Sequence, residues 1–240
     1  MNEFQQPIGA PLPEWKEAQL PGDKPLVDRY CRLERIDADR HAADLYAAYQ
    51  DAPDSRHWTY LPYGPFDTFE AYRNFLIETS ELNDPMHHAV IDLTSGKAVG
   101  TFALMRIDAP NGVIEVGHVV YSSRMQRTRL STEAMALLLK YVFADLGYRR
   151  FEWKCDSLNA PSRAAAQRYG FTFEGIFRQA VITRGRNRDT AWYSIIDSEY
   201  PALRKAYERW LRPSNFDGAG HQIDKLGDCI VREASGQARH

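Results

Sequence analysis

The spacing of apolar residues changes period several times along this chain, and each change marks an element. Residues 26–36, carrying Val27, Tyr30 and Leu33, predict a strand. Asp37-Ala38-Asp39 then offers capping side chains to a helix that places Ala42, Leu45, Tyr46 and Tyr49 on one face. Residues 58–66 form a loop rich in proline and aromatic rings. Asp67 or Thr68 can cap a second helix bearing Phe69, Tyr72, Phe75 and Leu76. Segments 88–93, 98–107 and 113–121 predict three successive strands, with turns at 92–97 and 108–112. A helix over 130–146 ends at Gly147, a suitable C-terminal cap. A strand over 148–155, a short helix over 159–169 stopped by Gly170, strands over 171–182 and 190–196, and a helix over 199–211 complete the pattern.

The strand–helix–strand passage across 113–155 requires a crossover and therefore a local parallel pair. The remaining strands can pair antiparallel. The expected fold class is α+β, a three-layer α/β/α body with a single mixed, mostly antiparallel sheet and helices on both faces. Residues 1–25 hold Pro7, Pro11, Pro13, Pro21 and Pro25 with Gly9 and Gly22. They predict a Pro-rich N-terminal arm, extended over the surface or partly disordered. Residues 213–240 are polar and Gly-containing without sustained periodicity, and predict a C-terminal tail. The folded body is thus expected over 26–212, with no internal repeat.

Composition narrows the class. The chain has 240 residues, of which 44% are hydrophobic and 26% charged, enough to bury an ordinary core. A net charge of −2 does not favour a general nucleic-acid surface. The run Arg184-Gly185-Arg186-Asn187-Arg188 leaves a local basic contact open but reads first as a solvated hairpin tip. Cys31, Cys155 and Cys229 are scattered, odd in number and without a C-x-x-C pair, so neither a metal site nor a disulfide framework is expected. Residues 1–10 lack the basic and apolar regions of a signal peptide. No run approaches the length of a membrane span. The expected location is cytoplasmic.

Candidate chemistry concentrates after the strand at 113–121. Gln126, Arg127, Thr128, Arg129, Leu130, Ser131 and Thr132 form a polar, basic turn entering a helix. Unpaired N–H groups at a helix start bind anionic phosphates, and Arg124, Arg127 and Arg129 add charge there. Glu115 and His118 lie three positions apart on the preceding strand. On a regular strand they face opposite sides, and only a bulge brings both to one cleft.

Three segments carry a resemblance. Residues 126–134 match the acetyl-CoA turn Q/R-x-x-G-x-G/A of the GCN5-related N-acetyltransferase superfamily, followed by Thr-Glu-Ala. Asn159-Ala160-Pro161-Ser162, Tyr169-Gly170-Phe171 and Glu174-Gly175 resemble the Rim-type ribosomal-protein N-terminal acetyltransferase branch. Arg188-Asp189 leading into Trp192-Tyr193-Ser194 is similar to the end of that branch's last hairpin. Arg129 and Ser131 stand at the two positions where the family's turn carries glycine.

The resemblance implies an acetyl-CoA-dependent N-acetyltransferase acting by direct transfer in a ternary complex, with no metal. The acceptor would be a primary amine on a protein N-terminus or a small molecule. A catalytically silent acyl-CoA-binding protein is the alternative, and a homodimer is allowed. By the same resemblance, residues 126–132 hold the pyrophosphate, and Val119, Val120 and Tyr121 flank the pantetheine as if it were another strand. Asn159, Ser162 and Arg168 are further cofactor contacts. Glu115 is the expected base and Ser162 the acid, with His118 as the other candidate base. The branch's second carboxylate falls at Val181 and the tyrosine acid of other members at Ala166, so neither carries over. Trp58, Tyr63 and Asp189 are the expected acceptor contacts. Cys155, following Trp153-Lys154 on a strand expected to be buried, reads as a small core residue rather than a nucleophile.

Overall fold

The computed structural model describes residues 1–237. Eight strands make one sheet. They are β1 (Leu26–Val27), β2 (Cys31–Arg35), β3 (Met86–Asp92), β4 (Ala98–Asp108), β5 (Val113–Tyr121), β6 (Arg150–Asp156), β7 (Thr172–Thr183) and β8 (Arg186–Ile196), in the order β1-β2-β3-β4-β5-β6-β8-β7. Every neighbouring pair is antiparallel except β5–β6, the pair joined by the crossover. The helices are α1 (Ala38–Gln50), α2 (Phe69–Ser80), α3 (Arg129–Lys140), α4 (Ala160–Arg168), α5 (Tyr200–Trp210) and α6 (Leu226–Gln237). The mixed, mostly antiparallel sheet read from the apolar pattern is present.

Period-two alternation sends successive residues of one strand into two different cores. On β3, Met86 and Val90 pack with α3 and α5, while Ala89 and Ile91 pack with α1 and α2 on the other face. Helix starts follow the capping residues: the Asp37 carboxylate accepts from the Asp39 and Arg40 N–H groups at 2.9 and 3.1 Å. At α2 the cap is Thr68 rather than Asp67, its hydroxyl accepting from Ala71 N–H at 3.1 Å.

Three boundaries depart from the sequence reading. The strand expected over 26–36 is broken at 28–30, where the backbone turns in to a side chain of α3 described below. The helix expected over 130–146 is α-helical only to Lys140 and continues as a π-helical turn over Tyr141–Asp145. The expected C-terminal tail folds through residue 237. Asn215 accepts from Asp224 N–H at 2.8 Å and donates to Trp210 O at 3.0 Å, which bends the chain back. Leu226 and Cys229 of α6 are then buried against α5. Leu226, Cys229 and Ile230 have helical spacing, which the sequence reading did not pick out among polar and glycine residues; residues 238–240 lie outside the described residues.

Residues 1–25 form no helix or strand and are tied to the body. Trp15 Nε1 donates to Pro110 O at 2.9 Å, and Ala18 and Gln19 N–H groups donate to Ala109 O and Leu146 O. Among the described residues no helix is long and apolar enough to cross a membrane, and no group of three or more His, Cys, Asp or Glu could hold a metal ion.

Candidate active site

The parallel ladder between β5 and β6 runs only from Val113–Arg150 to Val116–Trp153. Beyond it the two strands part. On its other edge β5 carries a bulge: Thr101 of β4 pairs with Val120, and Ala103 with Gly117, so three steps of β5 face two of β4. His118 sits at the bulge with φ of +51°, in the left-handed region. One extra residue reverses the parity of the strand. Glu115 and His118, which a regular strand would separate, therefore open into one cavity of about 610 Å3.

That cavity is lined by Glu115–Val119 of β5, Trp153–Asp156 of β6, Asn159 and Ser162 of α4, and the β7–β8 hairpin. His57 and Tyr60–Pro62 close it from the aromatic loop. Tyr60 Oη donates to Leu158 O at 3.2 Å, and Arg184 at the hairpin tip donates to Gly64 O, so the loop is fastened on both sides of the cleft.

The wall formed by β5 and β6 is charged. Glu115 is 3% exposed, with its Oε2 3.1 Å from Lys154 Nζ and 3.5 Å from Arg106 Nε. The same ammonium lies 2.6 Å from Glu152 and 3.8 Å from the centre of the Trp192 ring. Burial pushes the Glu115 carboxyl above the usual range, and the Lys154 and Arg106 charges oppose that push. His118 is driven down to about 4, first by burial and then by the positive charges of Arg106 and Arg188. Its imidazole is therefore neutral near pH 7. Burial also raises the Cys155 thiol, which removes it as a thiolate nucleophile.

Ser162 stands in the first turn of α4. Asn159 caps that helix, its Oδ1 accepting from Ser162 N–H at 3.1 Å. The Ser162 hydroxyl oxygen accepts from Trp153 Nε1 at 3.0 Å, which leaves its own proton available.

The turn before α3 keeps donors free. Met125 and Gln126 N–H groups both bond Ser122 O at 3.1 Å, Thr128 N–H bonds Met125 O, and Thr128 Oγ1 caps α3 through Ser131 N–H. The N–H groups of Arg127, Arg129 and Leu130 meet no acceptor among the described residues. The side chains at the two former glycine positions lean elsewhere. Arg129 holds its guanidinium 4.5 Å from the Phe216 ring centre and 5.4 Å from that of Tyr30, and Ser131 Oγ donates back to Thr128 O. Arg168 donates to Thr132 Oγ1 at 3.0 Å and stacks on Trp210. Val119 lines the cavity, whereas Val120 O accepts from Tyr49 Oη and Tyr121 O from Gln126 Nε2.

Packing holds the three residues expected to contact the acceptor outside the cavity lining. Trp58 is buried between Tyr49 and Phe66, ring centres 5.3 and 5.4 Å away. A side chain with so much apolar area goes to the core, and its neighbours His57 and Tyr60 line the cleft instead. Tyr63 packs at a tilt against Phe75, ring centres 4.4 Å apart, and only backs the His118 ring, at 5.4 Å. Asp189 accepts from Gln179 N–H at 2.8 Å and Asn187 Nδ2 at 3.0 Å, which fixes the bulge of β7 where Gln179 has φ of +50°. None of the three lines the cavity. The sequence reading missed Lys154, Arg106, Arg188 and Trp192. Lys154 offered a signal, a lysine between Trp153 and Cys155; Arg106 enters from β4, and Arg188 and Trp192 become visible only once β8 pairs beside β6.

Comparison with known proteins agrees with this architecture. The profile of the Acetyltransferase (GNAT) domain matches residues 31–172. The crystal structure of a GCN5-related N-acetyltransferase from Brucella melitensis is 46% identical, covers 92% of this chain and 100% of its own, and superposes with a TM-score of 0.89. A GNAT-family structure from Chromobacterium violaceum ATCC 12472 is 41% identical, covers 82% and 98% respectively, and has a TM-score of 0.75. A Salmonella typhimurium acetyl transferase, which modifies the N-terminal serine of 50S ribosomal subunit protein L7/L12, shares the fold at 20% identity and a TM-score of 0.60, covering 72% and 99%.

Proposed function

The chain belongs to the GCN5-related N-acetyltransferase family, and from that premise we propose that it transfers the acetyl group of acetyl-CoA to a primary amine bound in the β5–β6 cleft. The observation that carries the reading is the β5 bulge, which turns Glu115 and His118 into the cavity that Ser162 also lines. The residues of the turn fit a pyrophosphate. Three unpaired N–H groups at the start of α3 face outward from a helix end that favours negative charge. Arg129 and Ser131 do not obstruct it, because their side chains are bonded to Phe216, Tyr30 and Thr128. This argues against the silent alternative. Acetyl-CoA brings the acetyl thioester; the protein supplies position and proton handling.

Glu115 takes the proton of the attacking amine. Burial makes it a stronger base than an exposed carboxylate, and the Lys154 charge beside it opposes that push. As the new N–C bond forms and the C–S bond breaks, Ser162 gives its proton to the leaving sulfur and takes one back from water, with Trp153 Nε1 steadying the oxygen, while the proton on Glu115 returns to solvent. Neutral His118 shapes the wall beside the amine. The acceptor is a protein N-terminus or a small-molecule amine, and three buried free cysteines fit a reducing, cytoplasmic setting. The test is thiol release from acetyl-CoA by the purified protein against N-terminal peptides and small amines. Amine-dependent release supports the proposal; binding of acetyl-CoA without release over the whole panel contradicts it.

A further inference from the structure

Strand β8 turns Arg188, Thr190 and Trp192 toward the cavity, three residues of one parity and hence of one face. Each carries a buried polar atom with no hydrogen-bond partner among the described residues: Arg188 Nε, Thr190 Oγ1 and Trp192 Nε1. Thr190 is only 4% exposed. Guanidinium and indole nitrogens can donate but not accept, so what completes this face must bring acceptor atoms. Buried donors left unpaired carry a free-energy cost that such a ligand relieves.

Charge narrows the ligand. Lys154 on β6 and Arg106 on β4, the cations beside Glu115, are already matched by Glu115 and Glu152. Arg188 has no carboxylate within ion-pair distance among the described residues. Arg188 lies on β8 just past the end of the β6–β8 ladder at Asp156–Thr190, and lines the same cavity as His118 of β5 and Cys155 of β6. One side of the surroundings is apolar. Phe177 stacks on Trp192 with ring centres 4.4 Å apart, and Val181 and Pro62 continue that wall.

We propose that Arg188, with Trp192 and Thr190, is an anion-reading subsite of the acceptor pocket, so that the preferred acceptor is a primary amine carrying a carboxylate on an apolar body. This rests on the acetyl-transfer reading above and narrows its acceptor to amino acids over neutral amines. The carboxylate accepts from the guanidinium and the indole, a charge-assisted pairing of the kind arginine makes well. The amine of the same molecule is then directed at the opposite wall, toward Glu115. A peptide N-terminus offers only a neutral carbonyl at this position and leaves the arginine charge unmatched.

The experiment measures thiol release from acetyl-CoA by the full chain with phenylalanine, leucine and methionine, each beside its carboxamide. Wild type, Arg188→Gln and Arg188→Lys are compared, with thermal melting to check that each variant folds. Wild type should have the higher kcat/KM on the acids. Arg188→Gln should raise KM for the acids by on the order of ten- to a hundredfold with kcat little changed. The carboxamides should shift by less than about twofold, and Arg188→Lys should recover part of the loss. If Arg188→Gln weakens acids and amides alike, or wild type prefers the amides, the subsite is refuted while acetyl transfer stands. If no amine in this panel or among N-terminal peptides releases thiol, the transfer reading itself fails and the subsite with it. Should Arg188→Gln not fold, the wild-type preference between acid and amide decides.

Discussion

Glu133 sets a measurable demand on the fold. It sits on α3 and is 1% exposed. Its carboxylate collects three backbone N–H groups at the break between β1 and β2, those of Arg29 at 3.2 Å, Tyr30 at 2.6 Å and Cys31 at 2.8 Å. Hydrogen bonds to a charged group are worth about 1.5–3 kcal/mol each. Cys31 is wholly buried and would lose its bond outright, whereas Tyr30 and Arg29 lie nearer solvent and can rehydrate. Removing the acceptor also ends the burial penalty that raises this carboxyl above its usual range. The net cost of Glu133→Ala is then about 3 kcal/mol, or a fall in Tm of roughly 6–12 °C for a chain of this size. Glu133→Gln keeps one acceptor oxygen and should lose about half as much. Thermal unfolding followed by circular dichroism reads both. Acetyl-CoA should raise Tm by the same increment in Glu133→Gln as in wild type, because the carboxylate faces β2 and not the turn. A Glu133→Ala protein melting within about 1 °C of wild type would refute the clamp; a lost acetyl-CoA increment would make Glu133 a ligand contact.

Three further substitutions probe the cleft and its turn. Lys154→Met leaves Glu115 and Glu152 buried without their shared cation and should cost about 3–5 kcal/mol in denaturant unfolding. Because Lys154 opposes the upward push of burial on Glu115, its loss should also move the acid limb of the pH–rate profile to higher pH; an unmoved limb contradicts that coupling. His118→Gln should leave that limb in place above pH 5, since a histidine held at about 4 is already neutral there. Loss of an inflection near the usual histidine range would show the opposite. Arg129→Met should destabilise by about 1 kcal/mol through the lost ring contacts yet leave acetyl-CoA affinity within about twofold by equilibrium titration. A tenfold drop would mean that the guanidinium itself reaches the phosphates.

Where apolar period and capping agreed, the elements could be read directly. Asp37 and Thr68 cap the helices whose starts they marked, and the long strand–helix–strand passage produced the one parallel pair. The break at 28–30 could not be read, because its cause is Glu133, a hundred residues away. Helix α6 was legible in the i, i+3, i+4 spacing of Leu226, Cys229 and Ile230, but its short apolar set was passed over within the polar stretch 213–240. The site was half legible. Glu115, His118, Asn159 and Ser162 all line the cavity, but that the first two converge depends on one inserted residue in β5, a feature of pairing rather than of composition. Trp58 and Asp189 have the chemistry of acceptor contacts. Core area claims the first, and a backbone bulge claims the second.

The central claim is that the β5–β6 cleft performs acetyl transfer with Glu115 as base. Thiol release by wild type and Glu115→Gln, at saturating acetyl-CoA and with an acceptor that wild type uses, tests it most directly. A drop in kcat of roughly 10²–10⁴, with acetyl-CoA affinity unchanged, is the predicted result. Equal turnover by the two proteins would contradict it and place the base elsewhere.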